Sequence, residues 1–310
     1  MRQAFALLQD GVARDPGSKA LRRAQVRLLL RAGRIDLACL CYRQLAAPAG
    51  LSPSDPVLRD ALDDRDPALR AAAAQALGLV GAADAREGLE KSLRRDKDQE
   101  VRRAAAAALG ELRQPAAAPA LVEGLKDPWW FTRSEAALAL GKLGDARAVE
   151  PLFGALHDPD AAVRHAAEGA LALLVSSAGA DPYVRALQSG DPARARAAAL
   201  ALAAVQDRRA TPALVGFLAS PDAGLRQDAL RALGAARDPE ALPSVRKALA
   251  DPELKVRGEA VLALFSLRDP QAAPALRAMA ANPQEDARLR DFAGKVAAKM
   301  QNAPPGPGQH

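Results

Sequence analysis

Arginine returns along this chain at a fixed interval. Steps of 31 residues from Arg102 reach Arg133, Arg164, Ala195, Arg226, Arg257 and Arg288, and Arg70 stands 32 residues before Arg102. A leucine follows seven residues after each of the positions from 70 to 257: Leu77, Leu109, Leu140, Leu171, Leu202, Leu233 and Leu264. Self-similarity at a constant period is the mark of structural units that stack, each burying one face against its neighbours. Such a chain has no single thick core, and its usual work is to present a surface. A partner is therefore sought here before a substrate.

Composition agrees with stacking. Alanine makes up about a quarter of the residues and aromatics only 3%. Side chains this small cannot fill a globular core, but they let helices approach closely. The net charge is +6, and most of it lies at one end: residues 1–55 hold nine basic against four acidic groups, and the rest of the chain holds 34 against 33. A nearly neutral array lacks the electrostatic footprint that phosphate backbones demand, so nucleic acid is not expected as a partner. No apolar run is long enough for a transmembrane span, and no secretory leader is visible. Cys39 and Cys41 are the only cysteines, which suits a reducing compartment rather than a disulfide framework. The expectation is a cytoplasmic protein.

Within one period the residues spell two helices. Leu121 and Leu125 share a face of a short first helix; Asp127-Pro128 supplies a helix start; Thr132, Ala136, Ala139 and Leu140 form one stripe of a second helix, which Gly144-Asp145 closes. Six residues before the ladder positions stand Asp64, Asp96, Asp127, Asp158, Ser189, Ser220, Asp251 and Asn282; four before them stand Asp66, Asp98, Trp129, Asp160, Asp191, Asp222, Glu253 and Gln284. An acidic residue with Arg four later is a favourable helical pair. The grammar predicts an all-α solenoid of about eight two-helix units over residues 57–300. Residues 1–50 follow another rule, 51–56 read as a Pro/Gly-rich linker, and 301–310 as a disordered tail.

The phrase Asp158-Pro-Asp-Ala-Ala-Val163-Arg164-His-Ala-Ala-Glu-Gly-Ala170-Leu171, echoed in Asp251-Pro-Glu-Leu-Lys-Val256-Arg257, resembles the short HEAT repeats, also called phycobilisome-lyase-like HEAT repeats. The resemblance covers roughly residues 56–300. It implies that the Asp and Arg side chains form a ladder between neighbouring units, with Arg70, Arg102, Arg133, Arg164, Arg226, Arg257 and Arg288 holding the stack. It also implies that the second helices line the concave face. In the first 50 residues, Ala20-Leu21, Ala24, Leu28, Gly33, Ala38 and Tyr42 resemble a tetratricopeptide repeat, one full unit after a single helix.

In a repeat protein the departures carry the information. Trp129-Trp130-Phe131 places three of the ten aromatics together, with Trp129 where other units have an acid and Phe131 where they have Ala, Glu, Gly or Lys. Trp129 and Phe131 are candidate partner-binding residues, with an enlarged local core as the other reading. At the junction of the fourth and fifth units, Val175-Ser-Ser-Ala-Gly179 replaces the usual stop and Ala195 interrupts the arginines, which reads as a bend or a binding notch. Arg23, Arg27, Arg31 and Arg34 are spaced for one helical face. They form either a solvated face or a dock for an acidic partner or an anionic lipid surface.

Catalytic constellations are absent. The three histidines stand beside no cysteine or carboxylate pair at ligand spacing, so neither a metal nor another cofactor is expected. No phosphate loop or nucleophile elbow occurs. The reading is a non-catalytic scaffold or adaptor with protein partners. Two rivals remain: a phycobilin-lyase-like chaperone of a chromophore or partner protein, which rests on the repeat subclass alone, and a HEAT-like DNA glycosylase, which would need a strongly basic array.

Overall fold

The computed structural model describes residues 2–15, 17–46, 56–269 and 271–302. The expected linker lies outside these apart from Pro56, as does the expected tail from residue 303 onward. The described residues form helices and turns and contain no strand; the protein is an all-α solenoid.

Three helices come first: α1 (Arg2–Arg14), α2 (Lys19–Arg31) and α3 (Ile35–Ala46). The repeats then alternate a short first helix with a longer second one. The first helices are α4 (Val57–Asp60), α6 (Arg86–Arg95), α8 (Ala118–Gly124), α10 (Val149–Ala155), α12 (Asp181–Leu187), α14 (Thr211–Phe217), α16 (Leu242–Lys247) and α18 (Ala272–Ala281). The second helices are α5 (Pro67–Val80), α7 (Gln99–Leu112), α9 (Trp130–Leu143), α11 (Ala161–Ala178), α13 (Pro192–Ala204), α15 (Ala223–Ala236), α17 (Leu254–Ser266) and α19 (Ala287–Asn302). The chain divides into two compact units, Met1–Ala178 and Gly179–His310. In the first, α3 packs on α5 and the second helices stack in the order α5, α7, α9, α11; in the second the order is α13, α15, α17, α19.

Local chemistry sets each boundary. The side chains of Asp66, Asp98, Asp160, Asp191 and Asp222 accept N–H groups of the first helical turn at 2.8–3.0 Å, satisfying donors that a helix start leaves without partners. At the far end Gly144 takes φ +70°, a left-handed conformation that costs glycine little. Arg113, Gln206, Arg237 and Arg268 adopt the same conformation without being glycine.

Within each compact unit the core is a row of leucines between thin helix contacts. All seven leucines of the periodic pattern, Leu77 to Leu264, are fully buried. Alongside them the second helices nearly touch backbone to backbone. A Cβ on Gly78 would lie 2.9 Å from the Cα of Ala108, on Gly110 2.9 Å from that of Ala139, and on Gly141 2.8 Å from that of Ala170. In the second compact unit Gly234 faces the Cα of Ala263 at 3.2 Å. Glycine against alanine replaces a thick core, as the alanine-rich composition requires.

The last unit departs from the sequence register. The N-cap of α19 is Asp286, whose carboxylate accepts the backbone N–H of Arg288 and Leu289. Arg290, four residues after the cap, therefore holds the position that Arg70 or Arg102 holds elsewhere, and Ala293, Val296 and Ala297 are the buried positions that follow. Arg288 lies exposed on the first turn. The helix cap stands at Asp286, two residues later than the Gln284 of the sequence register, which a fixed 31-residue count cannot register.

Candidate interaction surface

The arginines from the second helices reach forward to the next unit. Nε and one terminal nitrogen of Arg70 donate to the two oxygens of Asp96 at 2.7 Å each, and the other terminal nitrogen donates to the Asp64 carbonyl at 2.9 Å. Arg102 holds Asp127 in the same fork at 2.6 and 3.1 Å, Arg133 holds Asp158 at 2.7 and 2.8 Å, and Arg226 holds Asp251 at 2.8 and 2.9 Å. Arg257 meets Glu285, at 2.9 and 2.6 Å, and not the aspartate-type position at Asn282. Arg164 donates to the carbonyls of Asp158 and Pro159, and the residue that supplies the carboxylate elsewhere is Ser189 in its case. Burial pushes the Asp96 and Asp158 carboxyls up. The guanidinium forks and the backbone N–H groups of Asp98 and Asp160 outweigh it, so both sit below the usual carboxylate range. In Glu285 the Arg257 fork is the dominant influence and again lowers the pKa.

Trp129 is the N-cap of α9 by conformation but has no side-chain cap to offer; its backbone N–H is held by Asp127 at 2.9 Å. Phe131 stacks on Trp130 with centroids 3.7 Å apart and tilts against Trp129 at 5.2 Å. The structure thus brings the two candidate residues together through one ring. Phe131 is 41% exposed, and both tryptophans are half-buried. One turn into the helix, Thr132 is fully buried with no hydrogen-bond partner for its Oγ1.

The basic residues divide. Arg23 and Arg27 border a shallow cavity of about 360 Å³ with Ala20, Ala24, Val57 and Asp60. Arg31 approaches Asp64 at 3.7 Å, the carboxylate position of the first repeat, which has no earlier ladder arginine in the sequence to meet it. Arg34 is not on the helical face at all. Helix α2 ends at Arg31 and Gly33, at φ +67°, turns the chain, so Arg34 begins the next segment. Two repeat units stand between α2 and α9 in the chain, and these arginines and the aromatics are separate surfaces.

A further patch escaped the sequence reading. Leu138 on α9 is 42% and Leu173 on α11 63% exposed, and Gly169 on α11 is exposed as well. The charges bordering α9 are tied to the preceding helix, Lys142 to Glu111 at 2.6 Å and Arg103 to Glu135 at 3.6 Å. Leu138 and Gly169 lie five residues after their ladder arginines and Leu173 nine after its own. Comparing those columns between units is the signal that would have exposed the patch.

Among the described residues no group of three or more His, Cys, Asp or Glu is placed to hold a metal ion. Burial pushes both cysteine thiols up, with the nearby Arg43 opposing it at Cys39 and Arg22 at Cys41, so neither is an activated thiolate. No described helix is long and apolar enough to cross a membrane.

A family model described as HEAT repeats matches residues 28–105, 86–172, 155–232 and 217–293. Among solved structures, Kap95p, whose binding induces the switch loops of RanGDP to adopt the GTP-bound conformation, is 14% identical with TM-score 0.61, over 96% of this chain and 46% of that one. YibA of E. coli is 19% identical with TM-score 0.50, over 86% and 96%. The CpcE–CpcF complex of phycocyanin lyase from Nostoc sp. PCC7120 is 24% identical with TM-score 0.41, over 82% and 97%. Comparison with curated proteins finds no match.

Proposed function

The chain belongs to the HEAT-repeat family, and from that premise we propose that it is a non-catalytic, cytoplasmic scaffold whose solenoid surface binds protein partners, with Trp129 and Phe131 at the centre of the contact. The observation that carries the reading is the aromatic cluster at the start of α9. In a chain that is 3% aromatic, a stacked Phe131 left 41% exposed is poor use of a large ring unless something covers it. Exposed aromatics held rigid by their neighbours are the usual anchors of interfaces. The ladder arginines are assigned to holding the stack, with Arg290 in place of Arg288. Arg23 and Arg27, beside their shallow cavity, form with the exposed Arg31 at the end of α2 a secondary dock for an acidic partner; Arg34 does not extend that face.

The test is paired. Tagged wild type, Trp129→Ala and Phe131→Ala are purified from the native host, the co-purifying partner is identified, and its affinity and each variant's melting temperature are measured. The expected outcome is a loss of at least about tenfold in affinity, roughly 1.4 kcal/mol, with little change in melting. Lowered melting with unchanged affinity would make the rings local core and retire the site.

A further inference from the structure

We propose that the open cavity between α6 and α8 binds a carboxylate side chain from an acidic segment of a partner protein, held between Arg95 and Lys126. The proposal rests on the scaffold reading and names what the partner presents beside the aromatic cluster. The cavity, about 360 Å³, is walled by Leu93, Gly124 and Pro128 and by seven charged residues. Five of the seven are already paired. Asp127 lies in the Arg102 fork at 2.6 and 3.1 Å, Glu123 accepts Nε of Arg94 at 2.6 Å, and Asp96 is held by Arg70 from the unit before. Arg95 and Lys126 remain. Both are exposed, and among the described residues neither side chain has a hydrogen-bond or ion-pair partner. An anion entering the cavity meets two positive charges that nothing else neutralises, while every acid on its wall is engaged.

The protein holds its own comparison. In the second compact unit a similar cavity, about 280 Å³, lies against the Arg226–Asp251 fork. Seven residues before the ladder arginines, where the first unit has Arg95 and Lys126, this cavity has Ala219 and Ala250. Its unpaired cation is Lys247, at the register of Glu123. The fork is common to both cavities and serves the stack; of the two, only the first carries a pair of free cations on its rim.

The number of free charges chooses the occupant. Outside residues 1–55 the chain is nearly neutral, and the two free cations stand beside three carboxylates. A nucleic acid needs a longer positive track than this, whereas a single carboxylate is matched by it. The site also continues the proposed contact. Pro128 precedes Trp129, and Asp127 on the cavity wall accepts the Trp129 backbone N–H at 2.9 Å. A partner segment lying over Trp129 and Phe131 therefore has the cavity at its edge.

Trp129 and Trp130 are the only tryptophans of the chain, so their emission reports events at this cavity and not at Arg23 and Arg27. The probes are a short tryptophan-free peptide alternating glutamate and serine, its counterpart with glutamine for glutamate, and a polyphosphate of equal charge in place of a phosphate backbone. A saturable change in emission is expected with the glutamate peptide only, weakened at least about tenfold in Arg95→Gln/Lys126→Gln. The double variant Lys247→Gln/Lys255→Gln removes the same charge from the second unit and should bind as wild type does. Melting should match wild type in both, since the replaced side chains have no partners. The proposal is overturned by no saturable change, by equal response to the glutamine peptide, by undiminished binding in Arg95→Gln/Lys126→Gln, or by equal loss in the two double variants. It is equally overturned if polyphosphate binds more tightly than the glutamate peptide and loses affinity in Arg95→Gln/Lys126→Gln, since a phosphate backbone would then be the occupant. Lowered melting of that variant would make the two cations part of the stack and also overturn it. The native complex separates this site from the scaffold reading. A complex lost in Phe131→Ala but retained in Arg95→Gln/Lys126→Gln would remove the cavity and leave the scaffold standing; the reverse would retire the aromatic site and keep the cavity.

Discussion

At the scale of single residues, the departures from the repeat make measurable claims. Thr132 stands where other units carry Leu69, Val101 or Val163, and its buried hydroxyl has no partner. Thr132→Val keeps the shape and removes a stranded polar group, so we expect it to raise stability by about 1 kcal/mol in urea unfolding; a loss would mean that the hydroxyl is satisfied in solution. The ladder arginines are not equal either. Arg133 forks onto Asp158, with the two side chains only 13% and 9% exposed, and its removal leaves a shielded carboxylate alone. Arg133→Ala should cost about 3 kcal/mol. Arg164, bonded to two carbonyls, should cost about 1–2 kcal/mol on the same substitution. Equal midpoints would remove the carboxylate fork as the source of the difference. Arg196, beside the gap at Ala195, makes an inter-repeat pair with Asp228, so the interrupted column is replaced in part by a neighbouring one.

At the scale of helices, two glycines in different columns of the repeat separate packing from propensity. A Cβ on Gly110 of α7 would lie 2.9 Å from the Cα of Ala139 on α9, and these clashing atoms belong to an alanine with no flexible side chain to move. Gly110→Ala should therefore push the two helices apart and cost about 1–3 kcal/mol. Gly169 on α11 meets nothing within 4 Å, so Gly169→Ala should gain about 0.5–1 kcal/mol from helix propensity alone. Thermal melting of the two variants gives the sign directly, and a gain at Gly110 would refute the close approach of α7 and α9.

At the scale of the whole molecule, the repeated forks link stability to pH. Asp96, Asp158, Asp251 and Glu285 all have carboxyls held below their ordinary values in the folded state. The unfolded chain, with Asp and Glu near about 3.9 and 4.3, then binds more protons in acid than the folded one. The contribution of these groups is fully present above the unfolded values and is lost as pH falls through the lowered ones. Urea midpoints should be flat from about pH 7 to 5 and fall steeply below about pH 4. A midpoint that rose on acidification from pH 5 to 3 would contradict the depressed carboxyls.

The period of the arginines and leucines determined the fold class by itself, because a stacked helical unit needs a leucine on its inner stripe, a cap at its start and small residues at its crossings, and each of these is a local demand written in every repeat. The aromatic departure at Trp129 and Phe131 was legible for the same reason: a constant background makes an exception visible. Three things needed the tertiary structure. The shift from Arg288 to Arg290 depends on where Asp286 begins a helix, which a fixed count cannot follow. The loss of Arg34 from the basic face depends on the left-handed turn at Gly33. The exposure of Leu138 and Leu173 depends on which column of each second helix faces outward and on how closely Gly110 and Gly141 draw the helices together, and a side chain's height above its neighbours exists only once those neighbours are in place.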